Sequence, residues 1–118
     1  MEIKMNIDKI SVDELKELLN SNENIVIIDV RSRQEFLEEH IPGAINLVSE
    51  DIIKNSKSSF QQYLKNNNIH LEGKNIVVYC DRGGRSMYFT KFLIECGYYA
   101  VSLTGGFRAY SREKLKLI

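Results

Sequence analysis

Ile76-Val77-Val78-Tyr79-Cys80-Asp81-Arg82-Gly83-Gly84-Arg85-Ser86 runs from an apolar, β-branched segment into a glycine-rich turn, and a helix-like stretch from Met87 to Cys96 follows. Strand, turn and helix in that order place Cys80 at the carboxyl end of a buried strand, where open α/β sheets put their sites. The backbone N–H groups of such a turn, together with the positive end of a helix beginning near Gly84, favour an anion at position 80. Gly83 and Gly84 let the chain curl without an obstructing Cβ. Arg82 and Arg85 add positive charge, against which Asp81 works weakly. A thiol with a pKa of about 8.5 is only about 3% ionised at neutral pH, so these features read as a means of making Cys80 a nucleophile. The competing reading is a small buried residue ahead of a purely structural turn.

Outward from this stretch, short β-branched runs alternate with amphipathic ones, the pattern of a mostly parallel sheet covered on both faces. Ser11-Val12-Asp13-Glu14 is a capping box, and Leu15, Leu18 and Leu19 follow at helical spacing, after a short strand around Asp8 to Ile10. Ile25 to Val30 is almost continuously apolar and reads as a central strand. A second capping box, Ser32-Arg33-Gln34-Glu35, opens a brief helix that must end before Pro42, since the residue preceding a proline is pushed out of the helical region. Ile41-Pro42-Gly43 is a turn, Ala44 to Val48 a short strand, and Ser58 to Asn66 a helix after a polar connector. Tyr99 to Leu103 and Phe107 to Leu117 supply a last strand and a closing helix, punctuated by Gly97 and Gly105-Gly106.

The 118 residues suit one domain, and with 43% hydrophobic and 27% charged residues the chain can bury a core without metal or disulfide staples. Sixteen Lys and Arg balance sixteen Asp and Glu, which leaves no general pull toward nucleic acid or anionic membrane. No apolar run reaches the length of a membrane span, and Met1 to Ser11 does not read as a signal sequence, so a cytoplasmic location is expected. The two cysteines form no C-x-x-C pair, so neither a zinc site nor a dithiol redox motif is expected, and the chemistry falls on single thiols. Cys96 lies about twelve residues beyond Gly84, roughly 18 Å along a helix, too far for a bridge to Cys80, and reads as a packing residue.

Three blocks, in order, carry a family resemblance. Ile28-Asp29-Val30-Arg31 with Glu35-Phe36 and His40-Ile41-Pro42-Gly43-Ala44-Ile45-Asn46 resembles the amino-terminal signature of the rhodanese-like sulfurtransferases. Val78 to Ser86 resembles their active-site loop, and Leu103-Thr104-Gly105-Gly106-Phe107-Arg108-Ala109-Tyr110 their closing Leu-x-Gly-Gly-x-x-x-Trp element. Tyr110 stands where tryptophan is usual, and Val48 where a proline often follows; both read as packing substitutions.

The resemblance implies a three-layer α/β/α fold with a doubly wound, mainly parallel five-stranded sheet, and a single-domain rhodanese in which Cys80 carries sulfane sulfur as a persulfide. It implies no cofactor and no metal. The donor is a small molecule such as thiosulfate and the acceptor cyanide or a thiol, including a protein thiol. Asp81, Arg82, Gly83, Gly84, Arg85 and Ser86 become the substrate-binding loop, their N–H groups facing the anionic sulfur and the two arginines an oxyanionic donor.

A phosphatase or arsenate reductase would carry His-Cys, five residues, then Arg. Here Tyr79 precedes Cys80, four residues separate it from Arg85, and Ser86 takes the phosphatase arginine's place. The remaining alternative is a persulfide carrier or regulatory binding module acting on a protein partner. Elsewhere, Asp29 and Arg31 read as a structural pair, His40 as a turn residue, and His70 as a surface residue. Tyr98, Tyr99 and Phe107 read first as core or rim aromatics, with lining of the acceptor approach a second, less favoured reading of Phe107, and the basic residues from Arg108 to Lys116 read as the solvated face of a helix.

Overall fold

The computed structural model describes residues 8–21, 24–48 and 57–116. The chain's first residues, most of the connector after Val48, and Leu117 lie outside them. The described elements are β1 (Lys9–Ile10), α1 (Val12–Asn20), β2 (Ile25–Asp29), α2 (Arg33–Glu38), β3 (Ile45–Asn46), α3 (Lys57–Asn66), β4 (Asn75–Tyr79), α4 (Gly84–Glu95), β5 (Ala100–Leu103) and α5 (Gly106–Lys116). The five strands form one sheet in the order β1-β5-β4-β2-β3, and every described ladder is parallel.

Both capping boxes form. Ser11 Oγ accepts from Glu14 N at 3.1 Å while Glu14 Oε1 accepts from Ser11 N at 2.9 Å. Ser32 and Glu35 repeat the exchange at 3.2 and 3.1 Å, so each helix start satisfies two otherwise orphaned donors. Helix α4 starts at Gly84, earlier than the apolar periodicity from Met87 indicates. Gly83, left-handed at φ 119°, turns the chain into the helix, and Gly84, Arg85 and Ser86 make its first turn. Strand β3 is shorter than the expected Ala44 to Val48: Ala44 N closes a turn onto Ile41 O at 3.0 Å, and Leu47 N bonds back to Asp29 O at 2.9 Å.

The pleat sorts alternate residues onto two cores. Ile76, Val78 and Ala100 face α3 and α4, packing with Phe60, Leu64, Phe89 and Leu93. Val77, Tyr79, Val101 and Leu103 face the other way, with Val12, Leu15 and Phe36, and with Phe107 and Tyr110 of α5. Tyr110 thus fills the tryptophan position by packing, its ring 6.0 Å from that of Phe107. The helices that follow β2 and β4, neighbours in the sheet, lie on opposite faces, so a crevice opens at their carboxyl ends. Cys80 is the first residue past β4.

Candidate active site

Cys80 continues the alternation of β4 onto the α4 face, and it is 2% exposed among apolar neighbours that include Val30, Val78 and Phe89. Its sulfur is nonetheless not in a purely apolar setting. Gly83 N donates to Cys80 Sγ at 3.0 Å, and the thiol lies 3.5 Å from Ser86 Oγ, to which it donates when protonated. The Ser86 hydroxyl in turn donates to Gly83 O at 3.1 Å and stands 2.7 Å from Ser102 Oγ. Gly83 is also the helix N-cap and offers no side chain to occupy the open amides of the first turn.

Burial pushes the Cys80 pKa up, but the Ser86 hydroxyl and the N–H groups of Ser86, Gly83 and Arg82 outweigh it, and the net direction is down. The shift therefore comes from dipoles, as expected. The arginine charges invoked from the sequence are not among its causes. A thiol whose folded pKa lies below its unfolded value adds stability that is complete above the unfolded value of about 8.5 and is lost as the pH falls through the folded one. The urea midpoint of the wild-type protein, minus that of Cys80→Ser, is therefore expected to rise with pH across that interval. A flat difference from pH 6 to 9.5 would contradict the lowered pKa.

The other loop residues divide by position. Asp81 is half-buried and its carboxylate accepts from Arg108 Nε at 3.2 Å, with Arg82 Nε further off at 3.9 Å. Arg82 and Arg85 are exposed at the rim of the loop. Gly84 has open space where a Cβ would stand, so of the two loop glycines it is Gly83, with its positive φ, that the turn requires. A cavity of about 190 Å³ opens beside the loop, lined by Lys9, Arg82, Gly83, Met87, Ser102 and the turn from Leu103 to Gly105. A larger one, about 670 Å³, lies beneath α1 at the amino ends of β4 and β5, away from the thiol.

Two parts of the site were not read from the sequence as site residues. Ser102 enters through β5, and only the parity it shares with Ala100 hints that it faces α4. The start of α5 clamps the loop from the other side: Phe107 N donates to Cys80 O at 2.8 Å and Arg108 N to Asp81 O at 3.1 Å. Gly106 makes this approach possible, because a Cβ there would collide with Cys80 O and lie 2.7 Å from Asp81 O.

Asp29 and Arg31 form the structural pair expected of them. Arg31 Nε bonds both Asp29 carboxylate oxygens at 3.1 Å, its NH2 reaches Oδ2 at 2.8 Å, and the same nitrogen donates to Glu39 O at 2.6 Å. The guanidinium lies 4.4 Å from the centre of the Phe107 ring and 5.6 Å from that of Tyr79. His40 is a satisfied turn residue, its Nδ1 2.8 Å from Phe36 O and its ring stacked on that of Phe36. His70 is exposed, and Cys96 caps the end of α4 half-buried against the α3–α4 core.

A thiol at a strand end, cradled by amides and followed by a glycine-capped helix, lies within a region that matches one family description, the rhodanese-like domain, over residues 11–113. The chain belongs to the rhodanese-like domain family. The Bacillus subtilis (strain 168) protein named "Putative sulfurtransferase YtwF" is 32% identical over 109 residues, covering 92% of this chain and 95% of its own. The human single-domain sulfurtransferase TSTD1 superposes with a TM-score of 0.69 at 31% identity, over 89% of this chain and 96% of that one. A Staphylococcus epidermidis tRNA uridine(34) hydroxylase is 36% identical over 93 residues, 78% of this chain but 28% of that protein. A rhodanese-like domain thus stands alone in some relatives and forms about a quarter of a longer protein in another. No helix among the described residues of this one is long and apolar enough to cross a membrane.

Proposed function

We propose that this rhodanese-like domain is a cytoplasmic sulfurtransferase in which Cys80 is the catalytic nucleophile and carries sulfane sulfur as a persulfide. The observation that supports this most is the Gly83 N–H 3.0 Å from Cys80 Sγ, inside a loop with four residues before Arg85. The Cys80 thiolate attacks the outer sulfur of a thiosulfate-like donor; the donor S–S bond breaks, sulfite leaves with the bonding pair, and Cys80 becomes a persulfide anion. A thiolate or cyanide then attacks the terminal sulfur, takes it, and returns the Cys80 thiolate. The loop amides stabilise the terminal anionic sulfur as an oxyanion hole stabilises oxygen, and no side-chain base is needed once the thiol is ionised.

Arg82 and Arg85, exposed at the loop rim, suit the sulfonate end of the donor. A short loop, with four residues before Arg85, whose amides and Ser86 hydroxyl gather on one buried sulfur fits one added atom better than a tetrahedral oxyanion, which disfavours phosphatase chemistry. A second reading, transfer to a protein thiol, is favoured by the longer relative in which such a domain is one part of the chain. Steady-state rates with thiosulfate and either cyanide or a small thiol are expected to give parallel double-reciprocal lines, since the two displacements are separate. Converging lines, the sign of direct transfer in a ternary complex, would contradict the persulfide route.

A further inference from the structure

Ser102 is the polar residue of β5, flanked by Val101 and Leu103, and it is 2% exposed. A buried hydroxyl needs a partner, and among the described residues Ser102 Oγ has one, Ser86 Oγ at 2.7 Å. Each serine has one hydrogen to give. The Ser86 hydrogen has an acceptor in Gly83 O at 3.1 Å, whereas the Ser102 hydrogen has only Ser86 Oγ. The arrangement that uses both is Ser102 donating to Ser86 and Ser86 donating onward.

We infer that Ser102 is a positioning residue for the reactive thiol: by donating to Ser86 Oγ it leaves the Ser86 hydrogen free to turn from Gly83 O to Cys80 Sγ when the thiol ionises. This rests on Cys80 being the reactive group. In the protonated state Cys80 donates to Ser86 Oγ at 3.5 Å, and Ser86 donates to Gly83 O. On ionisation the Cys80 proton passes to water or buffer, and neither serine changes its charge. Ser86 then rotates its hydrogen onto the sulfur anion, which keeps its bond from Gly83 N. The Ser102 hydrogen stays on Ser86 Oγ and polarises that hydroxyl, strengthening it as a donor. The second hydroxyl thus reaches Cys80 through the first.

The measurement is the pH profile of iodoacetamide alkylation at Cys80, made in Cys96→Ser protein so that one thiol reports. Charged groups around the site are Asp81, Arg82 and Arg85 on the loop and α4, Arg108 of α5 held by Asp81, the Asp29–Arg31 pair at the carboxyl end of β2, and Lys9, paired with Ser102 in the β1–β5 ladder. Tyr79, the residue before Cys80, has its hydroxyl bonded by Ile41 N at 3.0 Å. All are kept in every variant. Ser102→Ala is expected to raise the alkylation midpoint by roughly half to one pH unit, the scale of one hydrogen bond to a charged group acting through an intermediary.

Ser102→Thr and Ser102→Val share a shape and differ in the hydroxyl. Thr is expected to keep the wild-type midpoint and Val to show the raised one, so any strain from the added methyl cancels in the comparison. Equal midpoints for Thr and Val, or an unmoved midpoint in Ser102→Ala, would overturn the role of Ser102. Alkylation needs no sulfur donor. A raised midpoint in protein that takes no sulfur from thiosulfate would therefore refute the sulfur-transfer reading while upholding this one.

Discussion

Gly106→Ala is expected to lower stability by about 2–5 kcal/mol in urea unfolding and to slow alkylation of Cys80 at neutral pH. Two costs combine. Gly106 has φ +58°, a left-handed conformation that costs a residue with a Cβ about 1–2 kcal/mol. The added carbon would also run into Cys80 O and Asp81 O, both backbone atoms that cannot swing away as a side-chain tip could. Forcing extra volume into such a contact typically costs about 1–3 kcal/mol. Relief requires α5 to withdraw, which breaks the bonds from Phe107 N and Arg108 N to the two loop carbonyls and loosens the loop that holds the thiol. Gly73→Ala supplies the control, since Gly73 has a positive φ of 72° but nothing within 4 Å of a Cβ. A Gly106→Ala protein no less stable than Gly73→Ala would show that the approach of α5 is not tight.

Arg31→Ala is expected to cost about 3–5 kcal/mol, a large share of the roughly 5–15 kcal/mol that holds a domain together. Both partners are buried, with side-chain exposures of 5% for Arg31 and 0% for Asp29, so removing the guanidinium strands a carboxylate out of reach of water. Burial lowers the Arg31 pKa, but the hydrogen bonds and charge of Asp29 more than compensate, and the guanidinium stays protonated. The same side chain ties the end of β2 to Glu39 O and lies across Phe107, the residue whose N–H holds Cys80 O. Its loss should therefore loosen the end of β2, the chain after α2 and the start of α5 together. Asp29→Ala combined with Arg31→Ala is expected to be less destabilised than the two single losses added, because no unpaired charge remains buried. Strict additivity of the two would contradict a directly coupled pair.

The fold was legible where local chemistry dictates it. The two capping boxes and the apolar runs of β2 and β4 stated helix starts and buried strands outright, because each signal lies within a few adjacent residues. The start of α4 near Gly84 was legible from the glycine turn, not from apolar periodicity, which glycine, arginine and serine do not carry; the left-handed Gly83 leads the chain into it. In the site, Cys80 and its loop were read directly from the strand–turn–helix order. Ser102 was not, because its contact with Ser86 is made by the pairing of β5 beside β4 and by α4 lying over both, which no local pattern encodes. The role of Gly106 was likewise hidden: a double glycine marks a turn, and only the packed structure shows which backbone atoms come against it. The expected help from Arg82 and Arg85 in lowering the thiol pKa overvalued net charge, for both residues are exposed while amides and a hydroxyl act on the sulfur.

Intact mass after incubation with thiosulfate and removal of the donor tests the chemistry most directly. The wild-type protein should gain the mass of one sulfur atom, lose it again on addition of cyanide or a thiol, and show no gain as Cys80→Ser. An unchanged wild-type mass, or a gain that persists in Cys80→Ser, would contradict a persulfide held at Cys80.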